Sequence, residues 1–196
     1  GNGRGGMSVD FTSTLWKRRW IGLAVALAVF VLDQFVKWAM IGPLDLRNLE
    51  HIPLLPFFDL TWAENRGVSL GLFRADSMEQ RLMLVGFTAL IAVVVFVWML
   101  REKAKWDILA LSLILGGALG NIRDRINYGY VVDYADLHIG SFRPFLIFNL
   151  ADVAITFGVL IILARSFFFS DKDPMKDPSL LDAKDETGDV APEKTT

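Results

Sequence analysis

The sequence predicts a membrane α-helical protein with four transmembrane helices, a small extracytoplasmic β-sheet and a periplasmic loop or short helix. Three observations predict it. The composition is 53% hydrophobic against 21% charged, and the mean hydropathy of +0.41 is high for a soluble domain. Four apolar stretches are long enough, or nearly so, for the roughly 20 residues a spanning helix needs. Lysine and arginine gather in short flanks on one side of those stretches.

The first span is expected over residues 20–41 and carries Asp33, Gln34 and Lys37 inside it. Lys17, Arg18 and Arg19 precede it, as in a secretory signal peptide, but Asp-Gln-Phe-Val-Lys-Trp follows where small residues should mark a cut. It therefore reads as an uncleaved helix. The second span, 82–100, carries no charge. The third, 106–122, is short and contains Gly116, Gly117 and Gly120. The fourth, 144–164, contains Asn149 and Asp152.

Arg101, Lys103 and Lys105 between the second and third spans join the N-terminal basic cluster on the cytoplasmic side. Both termini are then cytoplasmic, and residues 42–81 and 123–143 face outward. In the outer loop 42–81, apolar runs at 57–62 and 68–73 flank Asn65-Arg66-Gly67, a pattern of two strands and a turn. Residues 20–165 form the membrane domain and 7–19 its cytoplasmic flank. Residues 166–196 form a cytoplasmic tail, whose part from 171 holds eight acids, four lysines and three prolines and is expected to be disordered. Gly1–Gly6 reads as an expression remnant ahead of a natural start at Met7.

Cysteine is absent and only His51 and His138 supply imidazole. Thiol chemistry and cysteine-based zinc sites are thereby excluded. The net charge of −2 says nothing about nucleic acid, and no nucleic-acid partner is expected. Carboxylates inside apolar segments are the unusual feature, because an ionisable group at the centre of a spanning helix costs about 2.5–3.5 kcal/mol on insertion scales. Asp33 and Lys37, four residues apart, share a helix face and can pair. Asp124, between Arg123 and Arg125, reads as a solvated helix end just past the third span, with Asp124 and Arg125 able to pair. Asp152 is different. Counted from Pro144 it lies about 12 Å down a helix, with no cation within a turn or two. Asp133, in Gly-Tyr-Val-Val-Asp-Tyr, is its candidate partner on the outer side. Two carboxylates in one low-dielectric pocket share a proton, one serving as base to water and the other polarising a carbonyl. From spacing alone, a structural role and an ion path stay open beside this catalytic one.

The motifs carry a resemblance. Asp33-Gln34-Phe35-Val36-Lys37, Asn65-Arg66-Gly67, Gly116-Gly117-Ala118-Leu119-Gly120-Asn121-Ile122-Arg123-Asp124-Arg125, Gly129–Tyr134 and Phe148-Asn149-Leu150-Ala151-Asp152 stand in this order. Together they resemble lipoprotein signal peptidase, the bacterial signal peptidase II, over roughly residues 20–165. The chain departs from the family's pattern at Leu70, where many members have an aromatic, and at Arg123, where an apolar residue is usual.

The resemblance implies an aspartic endopeptidase of the inner membrane with its site near the periplasmic face. It would remove the signal peptide from diacylglyceryl-modified prolipoproteins, cutting just before the lipidated cysteine. Asp133 and Asp152 would be catalytic, supported by Asp33, Lys37, Asn65, Gly67, Gly117, Asn121, Asp124, Arg125 and Asn149. Membrane lipids would surround it, globomycin would inhibit it, neither metal nor cofactor is expected, and a monomer is expected.

A transporter would want a continuous polar path, which the second span lacks. A purely structural subunit would tolerate Asp→Asn changes. A rhomboid-type protease needs a serine–histidine pair within helices, and both histidines lie in outer segments. A presenilin-like protease would show Gly-x-Gly-Asp, which is absent.

Overall fold

A computed structural model describes residues 6–67 and 78–169, leaving aside the side chains of 6–12 and 169. The elements, in chain order, are α1 (Gly6–Ile41), α2 (Leu46–Leu49), β1 (His51–Leu55), β2 (Phe58–Asn65), α3 (Met78–Arg101), α4 (Lys105–Tyr128), β3 (Val131–Leu137) and α5 (Leu150–Phe169). Among the described residues four helical stretches are long and apolar enough to cross a bilayer: Ser13–Ile41, Met78–Arg101, Lys105–Tyr128 and Leu150–Phe168. The four expected spans are therefore present, with shifted ends. The chain divides into two compact units, residues 1–162, which hold everything discussed below, and residues 163–196, of which only the end of α5 is described. The expected disordered tail from 171 and the second expected strand at 68–73, with Leu70, lie outside the described residues.

Each boundary has a local cause. Gly42 and Pro43 end α1, since proline cannot donate to the helix ladder. The Glu102 carboxylate accepts from the backbone N–H groups of Lys103 (2.7 Å) and Ala104 (3.0 Å), which shapes the turn from α3 into α4. α4 runs six residues beyond the expected end and stops at Gly129, in the left-handed region at φ 87°. Arg81 of α3 donates to the last carbonyls of α4, at Arg125 (2.7 Å) and Ile126. Asp124 and Arg125 are thus within the helix, not past its end.

The second correction is larger. Residues 144–149 are not helical, and α5 begins at Leu150. Instead of continuing a helix from Pro144, the chain lays Phe148 along the free edge of β3. The Ala135 N–H donates to the Phe148 carbonyl (2.8 Å), and the Phe148 N–H donates to the Ala135 carbonyl (3.1 Å). Asp152 consequently lies in the first turn of α5 and not deep along a helix.

α4 is the central helix. It packs on α1 and α3 through Ala26, Ala92, Met99, Leu111 and Leu115. Its glycines set the spacing. A Cβ on Gly116 would meet the Ala26 carbonyl oxygen of α1 at 2.5 Å, and one on Gly117 would meet that of Ala151 of α5 at 2.5 Å. Beside the helices, β1, β2 and β3 make an antiparallel sheet in that order. The third strand replaces the loop expected there. It pairs Ala63 of β2 with Asp133, next to a register shift between Leu60 and Ala63. Strand β3 is buried from Val131 to Asp136, so the sheet presses Asp133 inward toward the helices.

Candidate active site

The start of α5 organises the site. A helix leaves its first backbone N–H groups without intrahelical partners, and here side chains from other elements supply acceptors. The Leu150 N–H donates to the Tyr134 hydroxyl (3.2 Å) and the Ala151 N–H to Asp33 Oδ1 of α1 (3.0 Å). Asn149 and Asp152 cap each other: the Asn149 N–H donates to Asp152 Oδ2 (3.2 Å), and the Asp152 N–H to Asn149 Oδ1 (3.0 Å). The Phe-Asn-Leu-Ala-Asp motif is thus a helix start with its acid three residues past the cap.

Around this start sit two carboxylate groups. The first comprises Asp33, Lys37 and Asp124, all buried. Lys37 Nζ lies 2.9 Å from Asp33 Oδ2 and 2.7 Å from Asp124 Oδ2, and donates to Asn121 Oδ1 (3.1 Å). Gln34 Nε2 reaches Asp33 Oδ2 (3.0 Å), Asp124 Oδ1 (3.1 Å) and the Gly120 carbonyl (3.2 Å). The Val132 N–H donates to Asp124 Oδ2 (3.2 Å), fixing β3 to α4. The Asp33–Lys37 pair is as expected. The Asp124–Arg125 pair is not formed, because neighbouring residues on a helix do not face each other and Asp124 turns to Lys37 across the α1–α4 seam. The Arg125 Nε is buried with no hydrogen-bond partner, and the guanidinium couples electrostatically to Asp152, Asp133 and Asp124. Gly120 leaves the space for Asp33, whose Oδ2 a Cβ there would meet at 2.4 Å.

The second group is Asp133 with Asp152, joined through amides. Asn149 Nδ2 donates to Asp133 Oδ1 (2.6 Å) and to Asn121 Oδ1 (3.3 Å), while Asn121 Nδ2 donates to Asp152 Oδ1 (2.9 Å). Neither carboxylate forms an ion pair with a described residue. Asp133 is 2% exposed, whereas Asp152 is half-buried. Burial, then the charge of Asp152, push the Asp133 carboxyl up to about 7, against hydrogen bonds from Asn149 and Asn65 that favour its ionised form.

Asp133 opens onto a cleft of about 580 Å³, lined also by Asn65, Gly67, Arg143, Phe145 and Leu146. Gly67 has φ 138°, and its N–H donates to Asn65 Oδ1 (3.2 Å), which folds the cleft wall back at the end of β2. The residues singled out by the sequence therefore converge on one region: Asp133, Asn65 and Gly67 at the cleft, Asp152, Asn149 and Asn121 at the amide bridge, Asp33, Lys37 and Asp124 behind it, and Gly117 at the α4–α5 crossing. Arg125 joins through its field alone. Three further contributors fall outside that set. Gln34 and Tyr134 stand inside the quoted motifs, so the sequence does carry a signal for them. Arg143, held on Asp136 at 3.1 and 3.0 Å, carries no motif that marks it.

Among the described residues the fold is a bundle of four potential membrane spans with a small three-stranded sheet, and it resembles solved bacterial membrane enzymes. One solved bacterial membrane enzyme is similar with a TM-score of 0.62 at 23% identity, over 88% of this chain and 94% of its own. A second is similar with a TM-score of 0.64 at 27% identity, over 76% and 94%.

The sequence comparisons narrow that class. The model of the signal peptidase (SPase) II family matches residues 25–168. The lipoprotein signal peptidase of Sphingopyxis alaskensis is 54% identical over 77% of this chain and 87% of its own. That of Rhizorhabdus wittichii is 53% identical over 74% and 85%. The chain belongs to the signal peptidase II family, and is a bacterial membrane peptidase.

Proposed function

We propose that this peptidase removes the signal peptide from diacylglyceryl-modified prolipoproteins, cutting just before the lipidated cysteine, with Asp133 and Asp152 as its catalytic pair. The observation that carries the reading is the pair itself. Two carboxylates share a network of asparagine amides, neither is neutralised by a bonded cation, and one opens onto a cleft. The relatives named lipoprotein signal peptidase support the substrate class.

Asp152 takes the part of base. It stands at the positive end of α5 and accepts from Asn121 and Asn149, a setting suited to a carboxylate. Asp133 holds the proton. Water gives a proton to Asp152 as its oxygen adds to the scissile carbonyl carbon, and Asp133 protonates the carbonyl oxygen. The tetrahedral species collapses as its C–N bond breaks. The leaving amine takes the proton from Asp152, and Asp133 recovers its own from a hydroxyl of the intermediate. The products are the carboxyl end of the signal peptide and the free amine of the lipidated cysteine, and the pair returns to its starting state.

Asn65 and Gly67 line the substrate side, while Asn121 and Asn149 orient the aspartates. Asp33, Lys37, Asp124 and Gly117 hold the helices that carry them, and Arg125 sets the local potential. The sheet, where Trp62 packs edge-on against Tyr130 at 6.5 Å, stands over the substrate on the periplasmic side of the inner membrane. Globomycin would compete for the same cleft.

The test is cleavage of a diacylglyceryl-modified prolipoprotein by purified wild type, Asp133→Asn and Asp152→Asn. Loss of about 10²–10⁴-fold in each folded variant is expected. Undiminished cutting by either variant overturns the assignment.

A further inference from the structure

A second site lies on the membrane-embedded side, between α1, α3 and α4. An apolar groove of about 730 Å³ is floored by small residues, Ala26, Ala89 and Ala92, and walled by Phe30, Phe96 and Leu119. Arg123 is the single charged residue lining it. A second pocket of about 420 Å³ shares Phe30 and Arg123 with the groove and adds Gln34, Trp38, Tyr128 and Lys37, the last already paired with Asp33 and Asp124. The two adjoin at Phe30 and Arg123, the first lined almost wholly by apolar residues and the second holding the polar groups near the ends of α1 and α4. Trp38 and Tyr128, both largely exposed, are residue types that settle at headgroup level.

Arg123 gives this site its charge. It is exposed and donates to Gln34 Oε1, using one of the five N–H groups a guanidinium offers. It forms no ion pair among the described residues, in contrast to Lys37, which is held between two carboxylates. An uncompensated cation closing an apolar, acyl-shaped groove calls for an amphiphile with a negative head. Arg123 is also the position where an apolar residue would have continued the α4 stripe.

We propose that this groove holds an anionic phospholipid, its acyl chain along Ala26, Ala92 and Leu119 and its phosphate on Arg123 beside Trp38 and Tyr128. Through Gln34, which also binds Asp33 and Asp124, the headgroup would steady the α1–α4 seam.

The test reads lipid binding and is independent of how the aspartates act. The full chain, purified in detergent and stripped of lipid, is offered equal amounts of phosphatidylglycerol and phosphatidylcholine, and the retained lipid is weighed by native mass spectrometry. Wild type is expected to favour phosphatidylglycerol about fivefold, the size of one guanidinium's attraction for an anionic lipid surface. Arg123→Leu should remove the preference and Arg123→Lys should keep part of it. Ala89→Phe, which narrows the groove and leaves Arg123 in place, should lower retention of both lipids. Equal retention of the two lipids by wild type, or a preference that survives Arg123→Leu, overturns the proposal. Should Arg123→Leu fail to fold, unchanged retention in Ala89→Phe overturns it as well.

Discussion

Asp33 and Asp124 on one side, Asp133 and Asp152 on the other, are four carboxylates that meet at a single side chain. Asn121 accepts from Lys37 through its oxygen and donates to Asp152 through its nitrogen. Burial alone does not separate the groups, since Asp124 is 0% exposed and Asp133 2%, although Asp152 is half-buried. Their partners do. The first pair holds a lysine between its oxygens, so one of its two charges is matched and its bonds are fixed. The second pair has amide donors, which orient a carboxylate without neutralising it. The contrast teaches that in a low-dielectric interior a cation and an amide hold a carboxylate differently, and the roles proposed for the two pairs rest on that difference.

The largest expected effect tests the scaffold side. Lys37→Met leaves Asp33 and Asp124 buried without a cation, and breaking such a pair costs about 3–5 kcal/mol. Denaturation in detergent should show a loss of this order, with cleavage falling in step because Asp33 also caps α5. A fully stable Lys37→Met protein would break the contrast. Next in size, Gly117→Ala puts a Cβ 2.5 Å from the Ala151 carbonyl. Forcing α4 and α5 apart should cost about 1–3 kcal/mol and reduce kcat by displacing Asp152, whereas Gly86→Ala, with nothing within 4 Å of its added Cβ, should do neither.

The pH dependence sharpens the reactive side. Asp133 is raised from 3.8 to about 7. Below 3.8 the native and unfolded chains both hold this proton. Between the two values the unfolded chain releases it while the native one keeps it, so this group's contribution to stability falls as pH rises toward about 7 and is level above. Cleavage that needs Asp133 protonated should decline on the alkaline side through the same region, as a titration of the pair. A rate profile flat from pH 6 to 9 would contradict that role.

Much of this is legible in the sequence, for definable reasons. Hydropathy reports the environment of a whole segment, so four spans emerge from it. The Asp33–Lys37 pair is a local i,i+4 contact. What stays hidden is non-local. Arg123-Asp124-Arg125 reads as the polar end of a span, yet α4 continues to Tyr128 because Lys37, Gln34 and Val132, two of them distant in sequence, satisfy Asp124. β3 is unreadable as a strand because its pairing lies with residues 58–65, far back in the chain. Pro144 resembles a helix start. The real start is the reciprocal cap of Asn149 and Asp152, with Phe148 taken by the sheet edge. The sequence still pairs Asp133 with Asp152 as neighbours, since a buried acid without a nearby cation needs a partner wherever the helix begins.

The most direct measurement sets one acid from each group side by side: thermal unfolding at pH 8 together with prolipoprotein cleavage, for Asp133→Asn and Asp124→Asn. Asparagine at 133 keeps the oxygen that Asn149 binds and removes a buried charge. Its Tm should rise by about 2–4 °C, the shift roughly 1 kcal/mol produces in a chain of this size, while cleavage disappears. Asp124→Asn, which strips Lys37 of a partner, should lower the Tm. If Asp133→Asn instead lowers the Tm as Asp124→Asn does and still cleaves, both groups are scaffold and the chemistry lies elsewhere.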